Sequence, residues 1–417
     1  MSVNPTVRSD RRDPHIVGAV AIASRIFAPE PAAASFRLAA LANALARSGA
    51  RTVVITSTFT PDADAADDAV DREVEVRRFP VLRNKDGYVR GYLQYLSFDV
   101  PLVFRLLFAR GVVAVVVEPP PTTAAVVRVV CAIRRIPYFY YAADIWSDAS
   151  VTVANSVVVK VVRTVELWAL RGAAGVLSVS PTVTQRLAEL GVAERVKEVG
   201  NGVDTDLFAE QGIYYPHDSP YFLYAGTASE VHGATIFVDA LAHVRETHPT
   251  ARIIFVGQGA DRSELERRGK ELGEGAVKFL PRVPPARVAE MLRSAVASLA
   301  SVKPGVGYDL AFPTKLYASV ACGTPAIFAG AGPGAQFVSD LNAGWVADYS
   351  SDRVADAMIA ALSTKPDPAE RGALAERAAQ TVSITAIARA GAQFIIDTTF
   401  VSGRTARDEP QARNEKR

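Results

Sequence analysis

Cysteine is nearly absent: of 417 residues only Cys131 and Cys322 carry a thiol, each within an apolar stretch of helical spacing. That usage predicts packing rather than a disulfide or metal framework and fits a reducing compartment. The five histidines are scattered, and no Asp-x-Asp arrangement suited to a divalent cation is expected, so no metal site is expected either. Charge of one sign is also lacking. A net charge of +2 is far from the basic excess of a chain that neutralises many phosphates, which excludes nucleic acid as the expected partner. Long apolar runs are missing: Val112–Val117 and Val157–Val162 fall well short of the ~20 residues that span a bilayer. The polar stretch Met1–Pro14 leads into no signal-peptide core, so a cytoplasmic protein is expected.

Hydrophobic residues make up 49% and charged residues 22% of the chain, enough to fill two cores of roughly 200 residues each. Short runs rich in Val and Ile alternate with stretches of helical spacing, the signature of βαβ units around parallel sheets. The first series of expected strands is His15–Ala23, Thr52–Thr56, Val112–Val117, Pro137–Ala142 and Gly175–Ser178. A second is Tyr221–Tyr224, Arg252–Val256, Val277–Leu280, Ala297–Leu299 and Ala326–Phe328. Helices are predicted over Ala34–Ser48, ending at Gly49, and from Ser180-Pro181 to Gly191. The stretch Val199–Ser219, with Gly200, Gly202, Gly212 and Pro216, reads as a hinge. The expected fold is α/β, two Rossmann-like doubly wound domains facing across a cleft: residues 1–198, residues 199–380, a returning helix over 381–401 and a disordered tail over 402–417.

The second half holds the most informative motifs: NGVDTDLF from Asn201, YAGTASEVHG from Tyr224, then FVGQGADRSELE, KFLPRVPPARV and FPTKLYASVACGTPAIFAG. In order and spacing they resemble the donor-binding domain of the retaining glycosyltransferases of family four, which have the GT-B fold. The first half resembles the same family through IFAPEPAAASFR, EPPPTT at Glu118 and ADIW at Ala143. The resemblance implies a metal-independent transfer of sugar from a nucleotide diphosphate sugar to an acceptor hydroxyl, with no further cofactor. It implies retention by front-face displacement, the departing phosphate assisting deprotonation of the acceptor, so no protein nucleophile is assigned. Donor binding is expected mainly in the second domain, acceptor binding in the first, and reaction on domain closure.

The residues carry this chemistry in their own right. Phe312-Pro313-Thr314-Lys315 opens a helix whose unpaired amides could receive a diphosphate, with Lys315 adding a full charge and Thr314 and Leu316 beside it. Gly226 follows a strand, where a missing β-carbon lets a ligand approach, and Thr227 offers a hydroxyl and an amide. Thr227 and His232 stand where the family commonly has Arg and Lys, so help to the leaving group is expected to be weaker or pH-dependent. The family's paired glutamates are replaced by Leu310 and Ala318, with Asp309 as a candidate substitute. Asp144, following a strand of the first half, is a candidate cleft residue; capping a helix is its other reading. Arg and aromatic residues interleave from Arg77 to Arg110, which suits either an anionic bilayer surface or core-packed helices. The acceptor classes left open are a glycan, a lipid-linked glycan and a small secondary metabolite. An epimerase-like enzyme acting on a nucleotide sugar and a catalytically impaired partner protein remain alternatives.

Overall fold

The computed structural model describes residues 18–401 except 31, 59–69, 85–86, 88, 90, 151–155, 306–310 and 365–366. The chain divides into two compact units. One runs to Gly200 and resumes at Thr385, and the other is Asn201–Ile384. The 402–417 tail lies outside the described residues.

The first unit contains β1 (Ala19–Ala23), α1 (Ala33–Arg47), β2 (Arg51–Ser57), β3 (Val74–Phe79), α2 (Tyr92–Leu107), β4 (Val112–Val117) and α3 (Pro121–Arg134). These are followed by β5 (Tyr138–Ala142), α4 (Trp146–Ser150), α5 (Ser156–Gly172), β6 (Gly175–Ser178), α6 (Pro181–Glu189) and β7 (Val196–Glu198). The seven strands lie in the order β3-β2-β1-β4-β5-β6-β7, and every neighbouring pair is parallel. A parallel sheet covered on both faces needs strands apolar on both faces. The run Val112–Val117 meets that need, as does β5, whose five residues are all buried. Alternation divides β5 between two cores: Tyr138 and Tyr140 join α2, α3 and α5, while Phe139 and Tyr141 join α1 on the other face.

The second unit contains β8 (Tyr221–Ala225), α7 (Thr235–Thr247), β9 (Arg252–Val256), α8 (Arg262–Glu271), β10 (Val277–Leu280), α9 (Pro285–Ser294) and β11 (Ala297–Ser301). Then come α10 (Lys315–Ala321), β12 (Ala326–Ala329), α11 (Pro333–Asp340), β13 (Gly344–Ala347), α12 (Ser351–Ser363) and α13 (Pro368–Val382). Its parallel sheet has the order β10-β9-β8-β11-β12-β13. In both sheets the winding direction reverses beside the first strand, between β1 and β4 and between β8 and β11. That reversal opens a crevice at the strands' carboxyl ends, where open α/β sheets hold ligands.

All ten expected strands are present, the first as Ala19–Ala23, residues 15–17 of its expected span lying outside the described residues. β3, β7 and β13 were not foreseen: β3 reads VEVRRF with Glu75 and Arg77 exposed, and β7 and β13 have three and four residues. Edge strands such as these lack the continuous apolar run of a central one. Both expected helices form, the second with the Ser180 hydroxyl accepting from the Val183 amide. Cys131 and Cys322 are buried free thiols.

The last helix, α14 (Ile384–Ile396), packs on the first unit, with Phe394 edge-on to Phe139 at 6.0 Å and Ala392 and Ile395 fully buried in the α1 core. Truncating a buried isoleucine costs about 3 kcal/mol. Ile395→Ala should therefore lower first-unit stability by that amount in urea unfolding; an unchanged midpoint would show that α14 is not docked.

Candidate active site

The switch point of the second unit collects the family-like motifs. Gly226 follows β8 with φ of 131°, and the loop it opens is stitched to the neighbouring strand ends. Its amide donates to Val256 O at 2.9 Å, and the Ala228 amide donates to Gln258 O at 2.9 Å. The Gly257–Ala260 loop is pressed so closely against it that a Cβ on Gly259 would fall 1.8 Å from the Ala228 carbonyl oxygen. The turn after it is fixed from β11: the Lys303 amide donates to Val231 O at 2.9 Å, and Ser301 Oγ donates to His232 O at 2.6 Å.

Lys315 reaches into this frame from α10. Phe312, stacked on Tyr317 at 4.6 Å and edge-on to Phe337, sets the chain's approach, and Pro313 is buried at the turn. Thr314 is exposed at the amino end, and no side chain caps the helix. The lysine stem passes beside Gly226, whose hypothetical Cβ would lie 3.4 Å from Lys315 Cε. Lys315 Nζ is buried, has no hydrogen-bond partner among the described residues and sits 3.6 Å above the ring centroid of Tyr224. A desolvated cation-π contact contributes about 2 kcal/mol, less than the several kcal/mol needed to bury an ammonium. Burial therefore wins, and the Lys315 pKa falls to about 7. The expected full charge is thus only partly present at neutral pH in the unliganded protein.

His232 lies in the turn before α7, half-buried, with Nδ1 2.8 Å from Ser229 Oγ. Burial first, and Lys315 second, lower its pKa to about 4, so it is neutral at physiological pH. A neutral His232 accords with the expected weaker help to the leaving group, and the group that titrates near neutrality is Lys315. In the tautomer in which Nδ1 accepts from Ser229 Oγ, Nε2 carries the proton and can donate to a ligand. Thr227 is exposed and its carbonyl accepts from Tyr224 OH at 3.0 Å. The Leu316 side chain is turned fully into the core and its amide donates to Pro313 O at 3.0 Å. Asp309 and Leu310 lie outside the described residues, and Ala318 packs in the core on α10.

The first unit's switch point carries a second polar cluster, of which the sequence motifs marked only part. Arg37, from α1, forms a buried ion pair with Glu118, which follows β4. Ser24, following β1, lies 3.5 Å from the other Glu118 oxygen. Arg25 is buried too, its guanidinium 4.1 Å above the Tyr95 ring and donating to Val89 O. Asp144, two residues beyond β5, is solvent-open but closely surrounded; burial raises its carboxyl pKa, Arg37 opposing the rise and Glu118 reinforcing it. Its segment is held by Glu166 of α5, whose carboxylate accepts from the Trp146 and Ser147 amides at 2.8 Å each. Asp144 does not cap α4; Glu166 serves that end.

Among the described residues no cluster of three His, Cys, Asp or Glu could hold a metal. An Asp-x-Asp pair does occur at Asp204 and Asp206, but Asp204 Oδ1 accepts from the amides of Asp206 and Leu207, which makes the pair a turn. A second such pair, Asp62 and Asp64, lies outside the described residues.

Family comparisons agree with this architecture. Residues 209–381 match the model of the glycosyl transferases group 1, and residues 33–202 match the glycosyl transferase 4-like domain. The chain belongs to the GT-B glycosyltransferases of the family-four type and is a transferase. No curated relative is similar enough to match. Among solved structures it is similar to HepE from Anabaena in complex with UDP, at 18% identity and TM-score 0.69, over 90% of this chain and 99% of that one. WaaG, a glycosyltransferase involved in lipopolysaccharide biosynthesis, aligns at 18% identity and TM-score 0.65 over 90% and 99% of the two chains. A proposed UDP-N-acetylglucosamine 2-epimerase from Listeria monocytogenes aligns at 11% and 0.61 over 91% and 96%, so the fold alone does not choose the reaction.

The lowered Lys315 pKa carries a pH signature. The unfolded lysine, at its ordinary 10.5, binds more protons than the folded one between about pH 7 and 10.5, so stability from this group rises with pH across that window. Lys315→Met should flatten the melting temperature's rise between pH 7 and 10; an identical slope in wild type and variant would mean that the amine is solvated.

Proposed function

We propose that this enzyme transfers a sugar from a nucleotide diphosphate sugar to an acceptor hydroxyl with retention of configuration, in the assembly of a cell-envelope glycan or glycoconjugate. The observation that carries the reading is Lys315 Nζ, buried and unpartnered beside Gly226 at the uncapped amino end of α10. A pyrophosphate at this point would supply the missing acceptor oxygens and meet His232 Nε2–H and the α10 amide dipoles. The site needs no metal to offset the leaving charge. UDP is the nucleotide favoured for a first test, because HepE has been crystallised with it.

In the proposed step the bond between sugar C1 and the diphosphate oxygen breaks while the acceptor oxygen bonds C1 on the same face. The acceptor's proton passes to the departing phosphate. Lys315 and His232 stabilise that phosphate as its charge grows, and the acceptor is held by the first unit, where Asp144 orients its hydroxyl. A cell-envelope role draws support from the fold likeness to WaaG, and a lipid-linked acceptor would bring the protein to the inner face of the plasma membrane.

Lys315→Ala should slow sugar transfer by about 100-fold or more and abolish the rise in melting temperature that UDP gives the wild type. Wild-type transfer rates in this variant would remove Lys315 from the diphosphate site. Consumption of donor without acceptor, yielding an isomerised sugar, would favour the epimerase alternative.

A further inference from the structure

Three neighbouring helices of the first unit reverse the usual amphipathic arrangement. On a helix covering a sheet, the outward face is ordinarily polar. On α2 the outward row at four-residue spacing is Tyr92, Leu96, Val100 and Phe104, continued by Phe108 just past the helix, and all five are more than half exposed. On α3 the row is Val129 and Ile133, and on α5 it is Val157 and Val161 followed by Trp168, all exposed. Phe98, Leu102, Leu106, Val127 and Leu170 fill the inward faces, so the outward rows are surplus to the core.

The three helices form one surface. α3 packs against both α2 and α5. Arg134 of α3 donates to Leu106 O and Ala109 O at the end of α2, while Arg128 of α3 lies over the Trp168 ring at 4.2 Å and donates to its carbonyl. Contiguous exposed apolar area of this kind marks an interaction site.

Charge identifies the occupant. Among the described residues, the exposed charged groups of these helices and of the residues just past their carboxyl ends are Arg105, Arg110, Arg135, Lys160, Arg163 and Arg171, all cationic. The two acids the helices carry, Asp99 and Glu166, are 2% and 1% exposed. An apolar face ringed by cations alone matches an anionic bilayer, whose acyl region takes the side chains and whose headgroups pair with the charges. A second copy fits poorly, because a self-complementary contact would bring these cations onto one another. The aromatic and basic pattern visible in the sequence contributes only part of this surface. Phe98 is core, Tyr95 lies under Arg25, and Arg78 and Arg83 are bonded to Ala28 O and to Glu30; Lys85, Tyr88 and Arg90 lie outside the described residues.

We propose that the outward face of α2, α3 and α5 is a docking surface for anionic lipid bilayers. The proposal is independent of the donor chemistry, since no residue of the second unit takes part. Flotation of the full chain with vesicles of phosphatidylcholine, with and without phosphatidylglycerol, tests it. The wild type should float with the anionic vesicles at about 0.1 M salt and float markedly less at about 1 M. Two exposed-site variants, Leu96→Ser/Phe104→Ser/Phe108→Ser and Arg110→Glu/Arg135→Glu/Lys160→Glu, should each reduce the floated fraction at least ~10-fold, with melting temperature and UDP-induced shift unchanged. The proposal is overturned if the wild type stays at the bottom, floats equally with neutral vesicles, or floats undiminished in both variants. A wild-type dimer that the Phe104 variant converts to monomer, without lipid binding, would assign the face to a second copy instead. Failure in any of these ways leaves the UDP shift, and the donor assignment, untouched.

Discussion

On the proposed reading, the second unit's function turns on a buried amine that has no hydrogen-bond partner among the described residues. Lys315 Nζ rests on the Tyr224 ring, which compensates part of its desolvation and none of its hydrogen-bonding capacity. Such a group is held in readiness. An arriving anion would supply the missing acceptors and favour the charged form, so a cost carried by the empty protein becomes binding energy for a diphosphate. The surrounding frame holds that placement: the lysine stem passes within van der Waals reach of Gly226, the Gly257–Ala260 loop fixes the strand end from one side, and the Ser301 contact fixes the His232 turn from the other.

Both units follow the same winding rule and use the resulting crevice differently. In the second, the polar groups at the switch point are left incompletely satisfied. In the first, Arg37 and Glu118 neutralise one another in a buried pair, leaving Asp144 as the solvent-open carboxylate beside them. The charge pairing there leaves some polar atoms over: among the described residues, Arg25 Nε and Arg37 Nε are buried without a hydrogen-bond partner. On the proposed reading, the lone amine of the second unit takes the donor diphosphate and the charge-paired cluster of the first positions the acceptor.

Central strands were legible because parallel strands covered on both faces must be runs such as Val112–Val117 or Tyr221–Ala225. Strands β3, β7 and β13 were not, since polar or very short edge strands leave little hydrophobic trace. For the site, the FPTK motif placed Lys315 at a helix start, and the glycine loop at Gly226 was equally visible. The contact with Tyr224 was hidden, as it depends on strand ends brought together only by the sheet order. The Arg37–Glu118 pair and the Glu166 cap on α4 were hidden for the same reason: each joins residues on different βα units. The burial of the Leu316 side chain next to the lysine was not signalled by the motif either.

If Lys315 is stored largely deprotonated above neutral pH and charged by a bound diphosphate, binding must take up a proton. Titration of the wild-type chain with UDP at pH 8 in buffers of differing ionisation enthalpy measures this directly. The account predicts uptake of about 0.9 proton per UDP bound, from an amine with a pKa about one unit below the working pH. Binding with no net proton uptake would contradict it.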